Sequence, residues 1–252
     1  MIYRAVGAAL FFALTAMVIA ADPTNVERTA KTLAVLPIDG PPLEPSGIVF
    51  HENRLLCVSD NADDGRLYEL KAGDLNCSAV TFLTFRQEDL LKLEKRFRLD
   101  LEGLAFMEGY FYAVDERDRF IYRIGPYGRV WQVKHDIKDY NLKNKIIYSR
   151  DENAGFEGIA ADPVRRMLYI ANEREPALIY RLRLTANELE AVTENHTSMN
   201  DLSGGGPADI SDLYWERDRL YCVHRKGNRI IRLDPFNGAI TGSLDYGHAV
   251  KN

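Results

Sequence analysis

The chain of 252 residues carries a formal net charge of -5, with 46% hydrophobic and 10% aromatic residues. This balance excludes nucleic acid as a partner and describes an ordinary globular core, neither disordered nor fibrous. Cys57, Cys77 and Cys222 are an odd number of thiols, so disulfides do not organise the fold.

The chain begins with a basic residue, Arg4, followed by an apolar run from Ala9 to Ala20 that ends in Val18-Ile19-Ala20 before Ala21-Asp22. That layout predicts a signal peptide over residues 1–20 cleaved after Ala20, a secreted or periplasmic protein, and no membrane span once it is removed; a retained anchor is the alternative. Residues 21–31 read as a linker and 32–252 as one domain.

From there four segments repeat one pattern. Glu44-Pro45-Ser46-Gly47-Ile48 precedes the strand Leu55 to Asp60, and Asp100-Leu101-Glu102-Gly103-Leu104 precedes Phe111 to Asp115. Gly155-Phe156-Glu157-Gly158-Ile159 precedes Met167 to Ala171, and Asp209-Ile210-Ser211-Asp212-Leu213 precedes Leu220 to His224. The anchors Gly47, Gly103, Gly158 and Asp212 lie 56, 55 and 54 residues apart. A third strand follows in each copy, at Leu67-Tyr68-Glu69-Leu70, Ile121-Tyr122-Arg123-Ile124, Ile179-Tyr180-Arg181-Leu182 and Ile230-Ile231-Arg232-Leu233, with the tyrosines read as packing residues. Outer strands are expected over Val80 to Phe85, Val130 to Lys134 and Ala239 to Leu244, and one helix over Gln87 to Phe97.

Repeats of this length and make-up predict an all-β fold, a β-propeller of four-stranded antiparallel blades. Four repeats are visible and the complete ring is expected to have five or six blades. Thr32 to Ile38 reads as a strand that completes a last blade, so the chain is taken either as C-terminally truncated or as closing with four blades.

In such a hairpin the start of the first strand and the end of the second meet at one face, and the turn centred on Glu108 and Gly109 sets Glu102 opposite Asp115. The same construction brings Glu157 to Asn172 and Glu173, Ser46 to Ser59 and Asp60, and Ser211 to His224. Carboxylates gathered at a channel mouth call for a cation, and an oxygen donor set selects calcium. Glu102, Asp115, Glu157, Asn172 and Asp60 are therefore the candidate metal ligands, and His224 is the candidate proton carrier. The alternatives are structural: carboxylates accepting backbone N–H groups at Glu102 and Glu157, turn capping by Asp60 and Asp115, and a satisfied polar role for His224. Arg174 reads as an anion clamp or a surface ion pair. Five scattered histidines disfavour zinc, and the chain holds no Gly-x-Ser-x-Gly, His-Glu-x-x-His or phosphate-cradling glycine motif; Ser203-Gly204-Gly205-Gly206-Pro207 reads as a loop.

Asp100-Leu101-Glu102-Gly103-Leu104-Ala105, Asn153 through Ala160 and Asn172 through Tyr180, in that order, resemble the SdiA-regulated propeller family, and Gly-Phe-Glu-Gly is similar to the phytase-like propellers with esterase-like activity. The resemblance covers roughly residues 32–252; Ser211-Asp212 replaces Glu-Gly in the fourth repeat. It implies a calcium-binding propeller and hydrolysis of phosphate or carboxylic esters. The alternative is a non-catalytic binding module whose acidic mouth receives a small-molecule or cationic ligand.

Overall fold

The computed structural model describes residues 26–30, 36–41, 43–60, 65–74, 76–94, 98–149, 151, 153–199 and 208–247. The segment 1–20, most of the strand expected over 32–38, and the 203–207 loop lie outside the described residues. Two short strands come first, β1 (Val26–Thr29) and β2 (Ile38–Asp39). Four antiparallel meanders follow: β3 (Pro45–His51), β4 (Arg54–Ser59), β5 (Arg66–Ala72) and β6 (Cys77–Thr84) make the first. The second is β7 (Leu101–Met107), β8 (Tyr110–Asp115), β9 (Ile121–Ile124) and β10 (Val130–His135). The third is β11 (Phe156–Asp162), β12 (Met167–Asn172), β13 (Leu178–Leu184) and β14 (Glu190–Ser198). The fourth is β15 (Ile210–Glu216), β16 (Arg219–His224), β17 (Arg229–Leu233) and β18 (Ile240–Asp245).

Local chemistry sets the hairpins. His51 pairs with Arg54, Met107 with Tyr110 and Glu216 with Arg219, which leaves two-residue turns whose central residues all have positive φ. Such mirror-image turns match strand twist and fix register. The third hairpin is longer, and Asp162 caps it by accepting the Val164 and Arg165 N–H groups at 2.9 and 3.1 Å.

Parallel pairings tie the outer edges. Strand β10 meets β14 at Lys134–Glu190 and His135–Ala191, joining the second and third meanders into one eight-stranded sheet. Strand β1 lies against β18, and β2 against β6. The segment that extends the last meander is thus Val26–Thr29, upstream of the expected 32–38, whereas Ile38 joins the first meander.

Burial of inward side chains between adjacent meanders supplies the core. Tyr122 packs with Leu56, Leu67 and Leu104 between the first and second, and Tyr180 with Tyr112, Val114 and Ile159 between the second and third. Ile231 packs with Tyr169, Ala171 and Leu213 between the third and fourth. All three cysteines are free, and burial pushes the Cys57 thiol up to about 12.

Helix is sparse, and the sequence places it imperfectly. Among the described residues of the expected 87–97 stretch, only α1 (Gln87–Leu90) is helical; no side chain caps its start and a single residue, Leu90, is buried. A second helix, α2 (Ile137–Asn144), was not expected: Asp136 leaves its cap position uncapped and instead accepts the Thr193 N–H and Oγ1–H at 2.7 Å, tying the helix start to β14.

The inner strands β3, β7, β11 and β15 stand side by side with almost no room between backbones. A Cβ on Gly47 would lie 2.4 Å from Gly103, one on Gly103 2.7 Å from the Ile159 nitrogen, and one on Gly158 2.8 Å from Asp212. The fourth repeat has Asp212 in place of glycine. Its carboxylate accepts the Leu213 N–H at 2.8 Å and, across to β3, the Ile48 N–H. Asp212 as a residue keeps some exposure, yet its carboxyl group lies among the inner strands, where loss of water raises its pKa well above the ordinary range. Asp212→Ala is expected to cost about 1–3 kcal/mol in urea denaturation by leaving the Ile48 N–H without its acceptor, and Asp212→Asn to cost less.

Candidate acidic site at the inner strand ends

One irregularity recurs in all four meanders and builds the site. Register slips between Pro45 and Ile48, Leu101 and Gly103, Phe156 and Gly158, and Ile210 and Asp212. Each slip is a β-bulge that includes Ser46, Glu102, Glu157 or Ser211, and a bulge re-aims the extra side chain out of strict alternation. Just outside it, the residue after the second strand donates its N–H to the start of the first. Asp60 donates to Glu44, Glu116 to Asp100, Glu173 to Gly155 and Arg225 to Asp209, at 2.9 to 3.0 Å. Each repeat therefore brings three positions to one end: strand start, bulge and strand exit.

Carboxylates fill most of them. Oxygens of Asp60, Asp100 and Glu102 lie within 4.8 Å of one another, as do those of Glu116, Glu157 and Glu173. Ser46 Oγ donates to Glu102 Oε2. Burial pushes Glu102 up to about 7, with Asp60 and Glu116 adding repulsion and the Ser46 hydroxyl opposing it. Asp100 rises to about 8 through burial and then through the Asp60 carboxyl hydrogen-bonded to it. Glu116 rises to about 7 through burial and the Glu173 charge, although the Gly155 N–H holds it down. Glu157 rises furthest, to about 10, through burial and the charges of Glu102, Glu173 and Glu116. Glu157 is only 7% exposed and has no hydrogen-bond or ion-pair partner among the described residues.

Cations stand around this centre. Arg117 Nε meets Asp100 Oδ2 at 2.6 Å, and Arg174 pairs with Glu173 and, at 3.2 Å, with Asp151. Arg225 Nη2 donates to Glu173 Oε1 at 2.6 Å and its Nε to Asp209 Oδ1 at 2.9 Å. Lys226 Nζ is 3.1 Å from Asp209 Oδ2. The arginine rim and the oxygen-only centre suit a hard cation below and an anionic group above.

Of the six residues singled out from sequence, the fold brings Asp60 and Glu102 into one triad and Glu157 into the other. Asp115 stands apart from both: its carboxylate accepts the Asp100 and Asp118 N–H groups at 3.1 and 2.9 Å, which is the turn-capping alternative. Asn172 donates to the Arg174 and Pro176 carbonyls at 3.2 and 2.9 Å. The His224 ring is buried, its Nε2 has no hydrogen-bond partner among the described residues, and burial lowers its pKa; its charged neighbours are Asp209, Arg229 and Lys226, not the triads. Asp100, Glu116 and Arg225 were missed, and Glu173, placed beside Glu157 by the hairpin argument, was left out of the ligand set. The bulge explains this: with one extra residue, Leu101 faces Asp115, and the residue beyond Asp115 becomes the one that meets the strand start.

A family model described as phytase-like, esterase-like activity of phytase, matches residues 44–240. No curated protein is matched in sequence. Among solved structures, glutaminyl cyclase of Myxococcus xanthus is similar with a TM-score of 0.60 and 15% identity, over 90% of this chain and 81% of that one. Virginiamycin B lyase of Staphylococcus aureus is similar at 0.45 and 15%, over 80% and 55% of the two chains, and the Malassezia sympodialis allergen Mala s 1 at 0.47 and 15%, over 79% and 62%. At these identities the first supports the propeller-type fold and nothing about chemistry.

Proposed function

The chain belongs to the phytase-like family of esterase-like activity, and from that premise we propose that it is a divalent-cation-dependent hydrolase of esters or phosphoesters. In this reading the four meanders are four blades, closed at the inner strands by Asp212 on Ile48, and the acidic end is the channel mouth. Secretion by residues 1–20 would deliver the chain to a calcium-bearing medium.

The observation that carries the reading is Glu157, an almost fully buried carboxylate with no partner among the described residues, held within 4.8 Å of two more. A buried anion without a compensating cation is costly, so the group either keeps a proton or takes a cation. Oxygen donors alone fit calcium rather than zinc. Glu116, Glu157 and Glu173 would hold it, with Asp60, Asp100 and Glu102 as a second set. A cation there supplies Lewis-acid polarisation of an ester oxygen and a more acidic water. The rim arginines would orient an anionic group, and Glu102, on the Ser46 hydroxyl, is placed to exchange a proton at its carboxyl oxygen near neutral pH. His224 falls outside this scheme because its ring faces Asp209 and Lys226.

Calcium titration by calorimetry is expected to show binding that weakens at least about tenfold in Glu157→Gln, the effect even outer-shell changes have on metal sites. Unchanged affinity in that variant removes the assignment. Generic phosphoesters and acyl esters, assayed with and without chelator, are expected to turn over only with the cation. Binding without turnover of either class would favour the second reading, a ligand-binding propeller, which is supported by the charged neighbours of His224 being Asp209, Arg229 and Lys226 and not the triads.

A further inference from the structure

The four strand-exit positions, equivalent by register and by the shared N–H bond to the strand start, carry Asp60, Glu116, Glu173 and Arg225. Three repeats offer a carboxylate to the mouth, and the fourth offers a guanidinium. Resting on the cation reading above, we infer that Arg225 is a displaceable counter-ion, which holds Glu173 when no metal is bound, yields it to an incoming divalent cation, and then presents its freed N–H edge to an oxyanion of the ligand.

Glu173 carries the argument. It belongs to the triad with Glu116 and Glu157, is fully buried, and has one oxygen on Arg174 and the other on Arg225. A cation that draws on Glu173 must loosen one of these contacts. Arg174 is the harder to move: its side chain is 24% exposed and also donates to Asp151 at 3.2 Å and to the Asn153 carbonyl at 2.9 Å, pinning the loop ahead of β11. Arg225 is 54% exposed and has a second anchor in Asp209, which it keeps through Nε while Nη2 leaves Glu173. Asp209 is further steadied by Lys226, so the retreat strands no carboxylate. The Arg225 charge also bears on Glu102 and Glu157, one residue from each triad, so its movement is felt across the whole mouth.

Two opposite demands follow from one side chain. Before loading, Arg225 competes with the cation for Glu173; after loading, it is a half-exposed guanidinium beside a bound cation, the arrangement that grips an oxyanion bidentately. Cation and oxyanion should therefore bind in order and reinforce each other, each raising the affinity for the other by the same factor.

The full chain titrated with calcium alone, then with inorganic phosphate in the presence and absence of calcium, tests this by calorimetry. In wild type, phosphate binding is expected to require calcium. Arg225→Gln is expected to bind calcium about tenfold more tightly, within the usual range for coupled sites, and to lose the calcium-dependent phosphate binding. Lys226→Gln removes the same charge from Asp209 without touching Glu173 and is expected to change calcium affinity less than about twofold, which separates displacement from general electrostatics. Equal or weaker calcium binding by Arg225→Gln, or an equal gain in Lys226→Gln, overturns the inference while leaving the cation site intact. Wild type that binds no calcium sinks the cation reading itself, and this inference with it.

Discussion

Between about pH 6.5 and about pH 8.5 in the presence of chelator, the melting temperature is expected to fall by about 6–12 °C, and saturating calcium at the upper pH is expected to restore it. The cause is the protonation of the buried carboxyls. Glu157 has its pKa raised to about 10, Asp100 to about 8 and Glu102 and Glu116 to about 7, all with burial as the leading cause. In the unfolded chain these groups return to the ordinary carboxylate range, so across this window the folded state binds more protons. A raised carboxyl pKa contributes stability that is complete below the unfolded value and is lost as pH climbs through the folded one. Glu157 alone, protonated in the folded state throughout, would account for about 3 kcal/mol over two pH units. The histidines that burial lowers from an ordinary 6.5 oppose the fall by a small amount at the lower edge of the window, and the raised thiols and phenols act mainly above it.

Glu157→Gln is the decisive companion, because glutamine keeps the shape and removes the titration. Its melting temperature should fall distinctly less over the same window and should no longer respond to calcium through that triad. Wild-type stability that stays level or rises from about pH 6.5 to about pH 8.5 in chelator would show the clustered carboxylates already compensated in the folded state.

The large features of the fold were legible because they repeat. A period that drifts only from 56 to 54 residues fixed the hairpins, the position of the Glu108–Gly109 turn and the buried Tyr68, Tyr122 and Tyr180. The site was legible only to within one residue. Strict two-residue alternation pairs Asp115 with the acidic strand start, and the bulge at Glu102 hands that place to Glu116; the same slip favours Glu173 of the Asn172–Glu173 pair and Arg225 over His224. A bulge has no compositional mark of its own here, since the Glu-Gly pair reads equally well as plain strand. Helix α2 escaped for a related reason: Ile137 and Asn141 are buried while Leu142 is exposed, so no apolar stripe announces it. Asp212 reads in sequence as a plain departure from Glu-Gly, and in the fold its carboxylate spans two inner strands.

A damaging small substitution is expected at Gly47, between two inner strands. Alanine there should cost about 3 kcal/mol or more, the upper range for overpacking, and lower the melting temperature by about 6–12 °C. Its Cβ would meet the Gly103 Cα and carbonyl carbon and the Leu104 nitrogen, all at 2.4 Å. These are backbone atoms of a strand hydrogen-bonded on its other side to β8, so relief requires moving β3 away from β7 as a body. That shift would carry Ile48 from the Asp212 carboxylate and Ser46 from Glu102, coupling an axial clash to loss of the site. Gly109→Ala is the matched control: nothing lies within 4 Å of its Cβ, and only the positive φ of 83° opposes it, a penalty of about 1 kcal/mol. Denaturant unfolding of the two variants, with calcium affinity read on each, separates crowding at the axis from backbone preference. A Gly47→Ala protein as stable as Gly109→Ala would mean the inner strands are free to part, and that the carboxylates are not held together by their contact.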